Sequence, residues 1–361
     1  MKFLDKPLGL YLHIPFCEKK CAYCDFYSAC VTDTVQDSYV TALILEIKKW
    51  GGLIDRPIDT IYVGGGTPSV LGDRIEKILL AVKENFKILQ NAEITAEVNP
   101  ASAVEEFLSI AKRSGVNRLS VGVQSANDDE LKVLGRTHTV RQSEQTVKTA
   151  RKMGFDNISL DLMICLPDSN IKSLENNLDF ICSLKPEHIS AYMLKIEPDT
   201  KFSKLTLNLP DEDMQANQYL YMCKYLEEKG YLHYEISNFA LKGRESRHNL
   251  KYWTQKEYIG IGPSAHSFLD GKRFYYKRDL KGFIKKAEII NDGLGGDRQE
   301  EIMLRLRLKD GIKINNADRV LYFSKLKEAG YININGERLS LTNKGMLLSN
   351  SIITQITERI T

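Results

Sequence analysis

Cys17, Cys21 and Cys24 stand close together in the run from Tyr11 to Phe26. Three thiolates on one short loop can ligate a metal centre and leave one coordination position open. An open position marks a reactive centre rather than a structural one. Zinc is the structural alternative: Cys21-x-x-Cys24 is half of a common zinc site and Cys17 offers a third ligand. No second Cys pair or nearby Cys/His pair completes it. His13 falls within a predicted strand and reads as a core or supporting residue. An electron-transfer cluster of the ferredoxin kind wants four cysteines, whereas Asp25 and Phe26 follow Cys24. Chance clustering is a weak explanation for three cysteines at the end of a first strand.

The elements that must position this loop are legible as alternation. Short apolar runs occur at Gly9–Ile14, Thr60–Val63, Ile94–Val98, Arg118–Val123, Ile158–Met163 and Ile189–Leu194. Each of the first five precedes a helical pattern: Asp33–Trp50 stopping at Gly51-Gly52, Asp73–Phe86, Ser102–Ser114, Val140–Met153 and Ile171–Leu184. Strand–helix units in this order predict parallel strands joined by right-handed crossovers. Periodicity does not choose between an open doubly wound sheet and a barrel-like one. Either closure gathers functional residues at the carboxyl ends of the strands.

Residues 198–297 are less regular. A helix is predicted over Asp211–Lys229, a strand over Tyr231–Asn238, a loop-rich zone at His248–Trp253 and Gly260–Phe268, and an aromatic strand at Phe274–Tyr276. From 298 the rhythm changes to helices near 299–308 and 316–329. A hairpin follows, Tyr331–Ile334 and Arg338–Leu341 about Asn335-Gly336, and then a helix after Thr342. This resembles a winged helix, yet eleven Lys/Arg face seven Asp/Glu there without a dense basic cluster. A packing or lid module is expected in place of a nucleic-acid interface. The expected organisation is 1–235 for the barrel with its cluster loop, 236–297 for a loop-rich extension, and 298–361 for the winged-helix-like module.

The 361 residues carry a net charge of +3, too small to argue for nucleic acid. No run approaches a membrane span, and Asp5, Lys6 and Pro7 interrupt what would have to be the apolar stretch of a signal peptide. Seven cysteines, four of them scattered at 30, 165, 182 and 223, do not form a secreted disulfide framework. A reduced, cytoplasmic protein is expected.

Cys-x3-Cys-x2-Cys with Tyr23 before the last cysteine resembles the signature of the radical S-adenosylmethionine superfamily. Tyr11-x-His13-Ile-Pro15-Phe-Cys17 is similar to its coproporphyrinogen-dehydrogenase branch. The resemblance implies an α/β fold, a partial (β/α)6 TIM-like barrel. It implies a 4Fe–4S cluster on Cys17, Cys21 and Cys24 whose fourth iron chelates S-adenosylmethionine. A reductant such as flavodoxin or ferredoxin would supply the electron that yields a 5′-deoxyadenosyl radical. Gly64-Gly65-Gly66-Thr67-Pro68 after the second strand resembles the contact to the methionine amino group; alone, a glycine run is often only a turn. By position, Glu97, Gln124, Arg136 and Asp161 resemble the polar cofactor-binding set. For Glu97 the plain alternative is a helix-start signal, and for Arg136 a solvated side chain. A carboxylate inside a strand, Asp161, must find a partner. Tyr11 and Tyr23 would flank the cluster, with core packing as the alternative for both.

His248-Asn249-Leu-Lys-Tyr252-Trp253 matches His-Asn-x-x-Tyr-Trp, which resembles the motif linked to haem binding in haem chaperones of the HemW type. Imidazole ligates haem iron and aromatic rings pack on a flat macrocycle; from spacing alone, a lone His among aromatics is more often structural. Phe26, where the dehydrogenases carry a further cysteine, and the short segment before Tyr11 also favour a chaperone over coproporphyrinogen oxidation. A winged-helix regulator would leave the barrel unexplained. The implied partners are haem and haem-requiring respiratory proteins, and a homodimer or a peripheral membrane contact is compatible. Cys165 stands where many relatives have glycine. Cys30 reads as a bystander thiol, and His266 is a polar residue without an assigned role.

Overall fold

The computed structural model describes residues 6–100, 104–314 and 323–360. Six strands form its centre: β1 (Leu8–Ile14), β2 (Ile58–Gly65), β3 (Ile88–Val98), β4 (Arg118–Gln124), β5 (Ile158–Ile164) and β6 (His188–Met193). They pair in chain order and in parallel. The returning helices are Asp33–Leu53, Arg74–Asn85, Val104–Arg113, Val140–Lys152 and Ile171–Ser183. The expected start of the third, at Ser102, lies outside the described residues. Gly51-Gly52 does not stop the first helix, which continues to Leu53. Gly51 serves packing: a Cβ there would meet the Asn85 carbonyl at 2.5 Å.

After the helix Glu212–Glu228, the single strand expected at Tyr231–Asn238 is a hairpin of β7 (Leu232–Glu235) and β8 (Asn238–Ala240), with β8 antiparallel to β6. The expected loop-rich zone is ordered differently. A short helix, Arg247–Trp253, is capped by the Ser246 side chain. Then β9 (Tyr258–Ile261) pairs in parallel with β1, and β10 (His266–Leu269), β11 (Lys272–Tyr276) and β12 (Ile289–Leu294) extend that edge antiparallel. Strands this short carry too few alternations for periodicity to register. The resulting 12-stranded sheet ends on β12 and β7, which do not pair with each other. It is a partial barrel. The C-terminal part holds helices Arg298–Arg305 and Phe323–Glu328, a three-stranded sheet of β13 (Ile312–Lys313), β14 (Ile332–Asn335) and β15 (Arg338–Leu341), and helices Asn343–Leu347 and Ser349–Ile360. The expected helix over 316–329 is described only from Phe323.

Side chains alternate across each central strand. Leu8, Leu10, Leu12, Ile61, Val63, Leu119, Val121, Leu160 and Leu162 are fully buried in one continuous core with the helices. The alternate positions carry Tyr11, Thr60, Tyr62, Glu93, Thr95, Glu97, Arg118, Ser120, Ser159, Asp161, His188 and Ser190. The inner face of the sheet is therefore polar. The Arg247–Trp253 helix closes one end of it: Glu93 accepts from the amides of Arg247 and His248, and Thr60 bonds to the His248 ring. Lys251, buried beside them, pairs with Asp59 at 2.6 Å.

Beyond the strand ends the β1–β2 ladder continues into the cysteine loop. Gly66 N–H donates to Ile14 and Thr67 N–H to Phe16. Phe16 in turn bridges to Ala29, and Cys17 N–H donates to Ala29. A Cβ on Gly66 would lie 2.4 Å from the Phe16 carbonyl. Gly66→Ala should therefore destabilise the fold by about 1–3 kcal/mol, the usual cost of overpacking. Gly52, a helical glycine with nothing within 4 Å of its Cβ position, should instead gain up to about 1 kcal/mol as alanine. Urea unfolding of the two variants checks this opposition of sign.

Candidate functional site

The three cysteines line one cavity of about 140 Å³ at the carboxyl ends of β1–β5. Tyr23, Gly65, Gly66, Thr67, Glu97, Gln124, Arg136 and Asp161 line it too. Residues from six separate segments thus converge on one cavity. Thr67 Oγ1 lies 3.5 Å from Cys17 Sγ, and Arg136 Nη1 lies 3.5 Å from Cys21 Sγ. Burial lifts the Cys17 and Cys24 thiols above their ordinary range, so a metal centre must displace their protons. Among the described residues no three His, Cys, Asp or Glu side chains converge on a point that would hold a single ion. His13 is no fourth ligand. It is buried, Nδ1 bonds to the Tyr11 hydroxyl at 2.9 Å, and Nε2 bonds to the Tyr27 carbonyl at 2.9 Å. The donor set is three sulfurs on one loop with an open side toward the cavity.

The glycine run is fixed by protein contacts as much as by access. A Cβ on Gly65 would meet the His13 ring at 2.5 Å, and one on Gly64 the Glu97 carboxylate at 2.8 Å. Glu97 accepts from the Gly65 amide at 3.0 Å and from the Tyr62 hydroxyl at 2.9 Å. Burial lifts it from 4.5 to about 7 against these bonds. Asp161 accepts from Ser120 at 3.1 Å, and burial lifts it to about 6. Arg136 donates to the Gly122 carbonyl at 2.8 Å and to Asn99 at 3.1 Å, which ties β4 to the cysteine loop. Gln124 takes φ 69 at the end of β4. Cys165 takes φ 59. That left-handed conformation favours glycine; here the buried thiol packs in the core.

A second cavity of about 480 Å³ shares Tyr23, Cys24, Phe26, Glu97, Ser120, Gln124 and Asp161 with the first. It reaches deeper, to Tyr62, Arg118, Ser190 and Asn249, and outward to Tyr192 and Met193. The motif reading missed Tyr62, Arg118, Ser120, Ser190 and Tyr192. The signal was available: stepping back by twos from Gln124 gives Gly122, Ser120 and Arg118 on one face. Phe26 is 71% exposed at the mouth of both cavities.

Two expectations need correction. Tyr11 does not line the cluster cavity; it sits among His13, Tyr62 and His248. His248 does not present its ring to a cavity either. It is fully buried, with Nδ1 2.9 Å from Thr60 and Nε2 2.8 Å from Tyr252. Both nitrogens are engaged, and burial holds the ring neutral with its pKa near 3. Tyr252 faces His248 and Tyr258, and Trp253 lies under the Arg307 guanidinium. Of the motif, only Asn249 reaches the larger cavity. A helix at the closed end of the sheet, with its aromatic side turned into protein, is the physical reason. His266 stacks on Tyr275 at the other edge, and the Cys30 thiol lies 3.2 Å from the Glu18 carbonyl.

Residues 11–181 match the model of the Radical SAM superfamily, and residues 298–348 that of the HemN C-terminal domain. The fold is similar to that of coproporphyrinogen III oxidase (HemN) of Escherichia coli, a radical SAM enzyme. Its TM-score is 0.86 over 99% of this chain and 91% of that one, at 22% identity, so the likeness is one of fold. The site and fold are those of a radical SAM protein. The chain is also 35% identical to the heme chaperone HemW of Lactococcus lactis subsp. lactis (strain IL1403), across 97% of each chain. It is 36% identical to the heme chaperone HemW of Bacillus subtilis (strain 168), across 95% of this chain and 97% of the relative. It belongs to the HemW family of haem chaperones.

His248→Ala should cost about 2–4 kcal/mol by removing a packed ring and two buried hydrogen bonds, whereas Asn249→Ala, at the cavity wall, should cost under about 1 kcal/mol. Equal losses in chemical denaturation would contradict the structural role of His248. Glu97 gives a pH signature. Its folded value, about 7, lies above its ordinary 4.5. Its contribution to stability is therefore full below about pH 4.5 and is lost as pH rises through about 7. Ligand-free protein should lose thermal stability across that window, and Glu97→Gln should flatten the loss; parallel melting curves would rule out Glu97 as its source.

Proposed function

We propose that this protein is a haem chaperone that binds haem and hands it to haem-dependent respiratory proteins, carrying a 4Fe–4S cluster and S-adenosylmethionine. Membership of the HemW family at about one-third identity over nearly the whole chain carries the reading. Cys17, Cys21 and Cys24 would hold the cluster. Three sulfurs that do not converge on one ion suit a cluster that takes one sulfur per iron better than a single zinc. When bound, the cluster and S-adenosylmethionine supply one-electron chemistry. Gly65, Gly66, Thr67, Glu97, Gln124, Arg136 and Asp161 would seat S-adenosylmethionine beside the cysteines. Tyr23 would pack against both.

In this reading haem occupies the larger cavity, where Phe26, Tyr192 and Met193 offer aromatic and apolar surface to a flat ring. Asn249 is the motif residue in reach of it. Further parts of the reading are a flavodoxin or ferredoxin as reductant, cytoplasmic placement with peripheral membrane contact, and a homodimer. No helix among the described residues is long and apolar enough to cross a membrane.

The second reading, oxygen-independent coproporphyrinogen III oxidation, draws on the likeness of fold. Phe26 weighs against it, since the dehydrogenases place a cysteine there. One anaerobic assay separates the two, with haem and coproporphyrinogen III offered in parallel to reconstituted protein. Haem uptake and transfer without decarboxylation is expected; decarboxylation would select the enzyme. The reconstituted protein should also hold about four irons and four sulfides. Cys17→Ala, Cys21→Ala and Cys24→Ala should each lose the cluster; full retention in all three would refute the ligand assignment.

A further inference from the structure

Arg118 opens β4 and lines the larger cavity, but not the cysteine cavity. Its side chain is among the largest fully buried ones, 2% exposed. Nε has no hydrogen-bond partner, and no hydrogen bond or ion pair joins the guanidinium to any described residue. The carboxylates of Glu97 and Asp161 line the same cavity and feel its charge, which lowers the pKa of both, but neither is hydrogen-bonded to it. Glu97 accepts from Tyr62 and Gly65, and Asp161 accepts from Ser120. His188 bonds to Ser159 and to the Tyr234 hydroxyl. A buried guanidinium with five donors and no acceptor is costly. Buried polar groups are otherwise almost always satisfied, so its acceptor has to come from what enters the cavity.

The chemistry of that acceptor follows from the walls. The guanidinium fork suits a planar, bidentate anion. Ser190 and Asn249 stand on the same cavity with neutral polar groups, while Tyr62, Tyr192 and Met193 give it aromatic and apolar surface. A ligand with an apolar body and a carboxylate at one end fits this division. Arg136, by contrast, is bonded to Gly122 and Asn99 and lies against Cys21. It serves the cysteine cavity, which leaves Arg118 for a different ligand.

We infer that Arg118 anchors a carboxylate of the cargo, which for haem is a propionate. This rests on the haem reading above. It orients the macrocycle edge-first, with the acidic edge in the floor of the barrel and the opposite edge toward Phe26 and solvent.

The test compares haemin with haemin dimethyl ester in spectroscopic titrations of the full-length, anaerobically reconstituted protein. The native protein should prefer the free acid by on the order of tenfold to a hundredfold, the range for a hydrogen bond to a charged group. Arg118→Gln should abolish that preference while leaving ester affinity, cluster content and circular dichroism unchanged. Arg118→Lys should retain part of it, since the charge persists without the fork. Equal binding of acid and ester by the native protein would overturn the assignment without recourse to any variant. So would an unchanged acid-to-ester ratio in Arg118→Gln, or loss of S-adenosylmethionine binding in place of that ratio. If native protein binds neither haemin nor its ester, the haem reading itself fails, and the anchor with it.

Discussion

The amides of Gly66 and Thr67 donate to the carbonyls of Ile14 and Phe16, and these two bonds carry the β1–β2 ladder past the ends of its strands. The cysteine loop is thereby an extension of the sheet rather than an appendage. Its first cysteine, Cys17, follows immediately after the last bridged position, and its own amide is bonded to Ala29. The glycines that make this approach possible are crowded by backbone and by the His13 ring. Backbone hydrogen bonding thus fixes where three thiols stand relative to Glu97 and Arg136, and a metal site needs such fixed ligands.

The second constraint is dielectric. A parallel sheet with helices on one face has its apolar side chains pointing outward into that layer. The inner face here is polar from end to end, yet mostly shielded from water. Charge on that face is expensive. Glu97 and Asp161 respond by rising toward neutrality. Arg118 is instead left with its Nε unpartnered among the described residues. The Arg247–Trp253 helix completes the enclosure. Its first amides donate to Glu93, and its histidine bonds across to β2. The His-Asn-x-x-Tyr-Trp run is thus a plug that delivers one residue, Asn249, to the cavity.

The two cavities share the residues between them, so they form one continuous site with Phe26 at its mouth.

The sequence by itself determined much of this protein. The spacing of Cys17, Cys21 and Cys24, the six strand–helix units, Glu97 and Gln124 near strand ends and Asp161 within a strand were legible, because strand alternation and cysteine spacing are local patterns. What Tyr11 and His248 touch was not legible, since a histidine beside aromatic residues reads the same whether it faces a ligand or a strand. Nor was the short edge formed by β9–β12, whose strands show too little alternation, or the closure of the sheet. Only the tertiary structure decided these, and only it isolated Arg118. An arginine at the start of an apolar run is unremarkable in one dimension. Its lack of a hydrogen-bond partner becomes visible once strands β2 to β6 have folded around it and Glu97 and Asp161 have bonded to other residues.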